Sequence, residues 1–205
     1  MLITSARVHT GDNVTIATLN IDEFPFDREF SFQDGPSVDL GRILFNTRPL
    51  IEYMGSQWFI KENPSFGFAM TKPLWEDEPD NYESTWNDPH EFVWLVGGWG
   101  PDRDRYIANA IRKLRPLLRY AELSTLDMHF YRPDQFKDPV ESREQDGSFK
   151  WGDFPYGGAV YVQLGDISLH GACSAFTQIQ DDMVTRVILT HMGEKILESL
   201  DSQTS

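Results

Sequence analysis

Phe92-Val93-Trp94-Leu95-Val96-Gly97-Gly98-Trp99-Gly100-Pro101-Asp102-Arg103-Asp104-Arg105-Tyr106-Ile107 is the stretch that decides the fold. Its first five residues form an unbroken apolar run, which reads as a buried strand. Gly97 to Gly100 break the run, and Pro101 with Asp102 opens a helix. That helix carries Tyr106, Ile107, Ala110, Ile111, Leu114, Leu117, Leu118 and Ala121 at helical spacing, so one face lies on a sheet. Pro116 should kink it or end its regular part early.

Working back from this unit, Gln57 to Ile60 and Phe66 to Met70 read as strands, and residues 74–91 as an exposed, acidic loop or lid. A short helix after the Gln33-Asp34-Gly35-Pro36 turn, capped by Ser37 and stopped by Pro49, is expected to bury Val38, Leu40, Ile43 and Leu44. Val14 to Leu19 and Glu29 to Phe32 are strand-like pieces of an N-terminal extension over 1–35. Forward of the helix, residues 125–131 alternate: Leu126, Met128 and Phe130 face one way, and Asp127, His129 and Tyr131 the other, as in a strand. A charged, Gly-containing loop covers 132–157. Ala159–Leu164 and Ile167–Phe176 form a hairpin through Gly165-Asp166. The last helix begins at Thr177-Gln178-Ile179-Gln180, a capping-box spacing, and buries Val184, Val187, Ile188, Met192, Ile196 and Leu200. The expected whole is a single domain over 1–205, of α+β class.

The 205 residues carry a net charge of −14, which opposes binding to nucleic acid or to anionic lipid. No apolar run is long enough to cross a bilayer, and the start lacks the pattern of a signal peptide. Cys173 is the only cysteine, so an intramolecular disulfide is impossible. The cytoplasm is the expected location. Six Trp, 14 Phe and 7 Tyr are enough to line a pocket for a flat apolar ligand, although an ordinary core also uses such side chains.

Two segments carry a resemblance. Gly100-Pro101-Asp102-Arg103-Asp104-Arg105-Tyr106 leads into a basic helix that ends at Ser124-Thr125. Tyr156-Gly157-Gly158 is followed by the hairpin and by Gln178-Ile179-Gln180-Asp181-Asp182-Met183. In order and spacing, residues 36–200 resemble the GlcG/HbpS-like proteins with a haem-degrading-type domain. The resemblance implies a profilin-like antiparallel sheet of about five strands with helices packed on it, assembly into a homo-oligomer, and haem or iron binding. Tyr156 and Met183 stand where that family has histidines, and Tyr106 replaces its usual Trp. These departures weigh against an inherited metal role.

The residues themselves point to acid–base chemistry. Asp127, His129 and Tyr131 would stand in a row on one strand face; Tyr161 with Gln163, and Ser168 with His170, would share faces in the hairpin. If the faces coincide, an imidazole moves a proton, Asp127 orients it, and Tyr131 or Tyr156 steadies an oxyanion. Trp94 and Trp99 would hold a ring; Arg103 and Asp104 would add polar substrate contacts beside Tyr161. The alternative is a set of ordinary hydrogen bonds on a solvated or helix-covered face.

Arg103, Arg105, Arg112, Lys113, Arg115 and Arg119 place a third of the 18 cations on one helix. They form a solvated or salt-bridged face, or else an intersubunit contact or anion clamp. Three functional readings follow. The first is a cofactor-independent enzyme cyclising or isomerising an aromatic or polyketide-like molecule in secondary metabolism. The second is a haem- or iron-binding protein. The third is a carrier of a hydrophobic small molecule, without chemistry.

Overall fold

The computed structural model describes residues 29–31, 37–57, 65–75, 93–120, 123–131 and 156–202. Strands β1 (Glu29–Ser31) and β2 (Ser37–Asp39) pair antiparallel. Helix α1 (Leu40–Gln57) follows, then β3 (Phe66–Met70), β4 (Leu74–Trp75), β5 (Leu95–Trp99), α2 (Arg103–Tyr120), α3 (Thr125–Tyr131), β6 (Ala159–Leu164), β7 (Ile167–Ser174) and α4 (Gln178–Asp201). The main sheet has five strands, all antiparallel, with β7 in the middle. One edge of β7 pairs with β6, the other with β3 and β4, and β5 lies beyond β3. This is the expected α+β class, with helices on both faces.

Alternation along the strands assigns the two faces. Phe68, Cys173, Leu169 and Ile167 belong to the core that includes Val184, Ile188, Leu189, Met192 and Ile196 of α4 and Leu44, Ile51 and Met54 of α1. Ala69, Ala159 and Ala172 pack with Ile107, Ala110, Ile111 and Leu114 of α2. The α2 face is paved with small residues, so the helix sits very close to the sheet. At Gly67 a Cβ would run into the backbone of Tyr106 and Ile107.

Several elements differ from the sequence expectation. The strand expected at Phe92 is β5, and it runs on through Gly97-Gly98; a Cβ at Gly98 would meet the carbonyl of Phe66. Helix α1 is long and contains Pro49, because Ile51 and Met54 bury beyond it and the lost backbone bond costs less than that packing gains. Its N-terminal carboxylate is Asp39, which accepts from the Arg42 amide at 2.7 Å; Ser37 is in β2. Helix α2 likewise continues past Pro116 to Tyr120. Leu74–Trp75, expected in an exposed loop, pair with Ile167 and Ser168 of β7. Gln57, expected in a strand, closes α1. In α4, Val187 is exposed and Leu200 half-buried.

The largest correction concerns residues 125–131, which form helix α3. The Asp127 amide donates to Ser124 Oγ at 3.1 Å, and Ser124 Oγ donates to Asp127 Oδ2 at 3.0 Å. That reciprocal cap starts a helix, and the apolar alternation over seven residues did not discriminate. The strand-like piece at 14–19 and the parts of the expected loops at 76–91 and 132–155 lie outside the described residues.

Candidate functional site

The hairpin delivers what its alternation predicts. Tyr161 is the register partner of His170, and Gln163 of Ser168, so all four side chains stand on one face. That face is the α2 side of the sheet, since His170 is two residues from Ala172. The rings of Tyr161 and His170 lie with centroids 5.0 Å apart at 48°. The Tyr161 hydroxyl donates to Gln163 Oε1 at 3.0 Å and lies 3.2 Å from Ser168 Oγ. His170 is 8% exposed. Burial penalises the imidazolium and pulls its pKa from 6.5 down to about 4. At neutral pH His170 is therefore a neutral imidazole, with one N–H and one lone pair, against a half-buried phenol.

The other expected site residues do not gather there. Residues 125–131 are helical, so positions 127, 129 and 131 do not share a strand face. Asp127 is engaged in the cap on Ser124. Trp99 pairs with Phe66 in register and stacks on it at 4.2 Å, with the Arg48 guanidinium 5.5 Å from its ring. Phe66 and Phe68 share the Cys173 side of the sheet, so Trp99 is on the face opposite His170. Trp94 packs edge-on against Phe30 at 6.5 Å and joins the core on that same side. Arg103 and Asp104 bond each other at 3.3 Å at the start of α2. Half-buried Tyr156 precedes Gly157, whose amide donates to Gln178 Oε1 at 3.1 Å.

A buried polar cluster escaped sequence reading. Lys113 and Asp181 are each about 2–3% exposed and pair at 2.7 Å. Lys113 Nζ also donates to the Cys173 carbonyl at 3.0 Å, and Asp181 Oδ1 accepts from the amides of Ala175 and Phe176 at 3.0 and 2.9 Å. Burial pushes the Asp181 carboxyl up, with Lys113 pulling the other way. The Cys173 thiol, fully buried beside that carboxylate, is pushed well above the ordinary range. Arg112 is also 2% exposed, so the cations of α2 are not a simple solvated face. Cation spacing alone gives no sign of this; a lysine on an otherwise apolar helix face is the available signal.

Between α1 and α4 runs an open groove with adjoining lobes of about 430 and 460 Å³; Leu50, Arg186 and Val187 line both. Met183 opens onto this groove, whose lining does not include Tyr156. Among the described residues no three His, Cys, Asp or Glu side chains gather as metal ligands, and no helix is long and apolar enough to cross a membrane. Compared with family models, curated proteins and solved structures, the chain matches none of them significantly.

Proposed function

We propose that this chain is a small-molecule enzyme that moves a proton on a hydrophobic, carbonyl-bearing substrate at the Tyr161–His170 pair. The observation that carries the reading is a neutral, buried imidazole set against a phenol on one sheet face. A neutral imidazole donates a hydrogen bond to a developing oxyanion without holding a charge of its own, and the phenol beside it supplies a second donor once its proton turns from Gln163 Oε1 to the substrate. Intramolecular cyclisation fits this inventory. A substrate hydroxyl adds to an alkene conjugated to a carbonyl: the C–O bond forms, and the π pair moves onto the carbonyl oxygen as an enolate. The hydroxyl proton then ends on the enolate carbon. His170 and Tyr161 would hold the enolate oxygen; Ser168 and Gln163 would orient the Tyr161 hydroxyl. The step balances without an oxidant or reductant. An isomerisation through the same enolate needs the same two donors.

2-Naphthol tests the reading, because its anion presents an oxygen like that of an enolate. The account expects the bound naphthol to ionise near neutral pH, seen as the naphtholate absorption band, and Tyr161→Phe and His170→Phe to lose that band. Binding without ionisation would favour the carrier reading. Ionisation unchanged in both variants would remove the pair from the site.

A further inference from the structure

On the opposite side of the sheet, α1 and α4 present a half-exposed apolar face. Leu50, Tyr53, Met183 and Val187 are exposed by 47, 58, 45 and 39%. A buried-ligand pocket covers most of its occupant, whereas side chains this open belong to a surface that another protein covers. Helices of 18 and 24 residues side by side make a face of roughly 30 by 20 Å, on the order of the ~800 Å² per partner of a stable interface.

The charges on this face select the partner. The whole chain carries −14, so two copies repel over most of their surface. The groove face carries both signs: Arg186 Nε pairs with Asp182 at 2.7 Å, and Glu194 lines one lobe. A face with both signs can meet itself about a two-fold axis; a face of one sign cannot. Arg186 and Glu194 lie four residues to either side of Thr190, and all three line the same lobe.

We propose that a second copy of this chain docks in the α1–α4 groove about a two-fold axis passing beside Thr190. Helix α4 then lies antiparallel to its mate, and Arg186 meets Glu194 of the partner subunit, twice. Leu50 and Val187, nearest the axis, form the dry centre, and Tyr53 and Met183 extend it outward on each side. Met183 adapts to the facing surface. The dimer leaves the Tyr161–His170 face, across the sheet, uncovered by this contact.

Sedimentation velocity of the full chain across micromolar concentrations reads the proposal. The wild type should be a dimer, and Val187→Glu and Leu50→Glu monomers with unchanged far-ultraviolet circular dichroism. Arg186→Glu and Glu194→Arg should each weaken the dimer about tenfold or more, and the double reversal should recover most of the loss. Recovery by the second reversal holds even where a single variant folds poorly. A monomeric wild type overturns the proposal, as does a dimer indifferent to all four substitutions. A monomer that instead binds decanoate, with Val187→Glu abolishing that binding, would give the groove to a small amphiphile and equally overturn it.

Discussion

Lys113 on α2 and Asp181 on α4 form a 2.7 Å ion pair that joins the helices packed on opposite faces of the sheet. The link passes the start of β6, where Gly158 adopts a φ of 123° and a Cβ would come within 3.0 Å of Lys113 Nζ. Removing one partner strands the other inside the protein. Lys113→Met is expected to cost about 3–5 kcal/mol in urea unfolding. Lys113→Met combined with Asp181→Asn should cost less than the sum of the single changes, because the stranded charge is gone and the Ala175 and Phe176 amides keep an acceptor.

Cys173 tests the same cluster chemically. Its thiol is buried and held protonated by desolvation first and the Asp181 carboxylate second. A thiol-reactive disulfide reagent at pH 8 should leave native protein unmodified and label one thiol per chain after unfolding in urea. Rapid labelling of the native protein would contradict this packing.

His170 makes stability fall in acid. The unfolded imidazole takes its proton near 6.5 and the folded one only near 4, so the unfolded state binds more protons between those values. The contribution is complete above about pH 6.5 and is lost as pH falls toward 4, up to about 3 kcal/mol. Unfolding free energies of wild type and His170→Phe, measured at pH 7 and pH 4.5, should show the variant losing less on acidification.

Two glycines separate close packing from turn geometry. Gly67→Ala forces a Cβ into the α2 backbone and should destabilise by more than about 3 kcal/mol or prevent folding. Gly165→Ala, at a φ of 59° with only a distant Leu197 methyl nearby, should cost about 1 kcal/mol. Thermal melts of both variants check the contrast.

The hairpin was legible because Gly165-Asp166 fixes the turn, and the turn fixes the register that puts Tyr161 beside His170. Helices α2 and α4 were legible from periodicity, and the capping box of α4 is present, with the Thr177 amide donating to Gln180 Oε1 at 3.2 Å. What failed were local rules overridden by packing. Pro49 and Pro116 sit inside helices whose apolar faces continue on both sides of the proline. Residues 125–131 failed for a different reason: Ser124 and Asp127 carry a capping-box spacing that outweighed an alternation of only seven residues. The candidate site lost Asp127, His129 and Tyr131 as a row with that one element. Trp99 was placed across the sheet by strand pairings that no single segment encodes.

Nitrogen-15 chemical shifts of His170, followed from pH 3 to pH 8, measure the state of the imidazole that the proposed chemistry requires. The account predicts a neutral ring throughout the physiological range, with the proton arriving only near pH 4. A midpoint near the ordinary histidine value, with no change in Tyr161→Phe, would mean that this imidazole is neither enclosed nor coupled to the phenol. The site would then be gone.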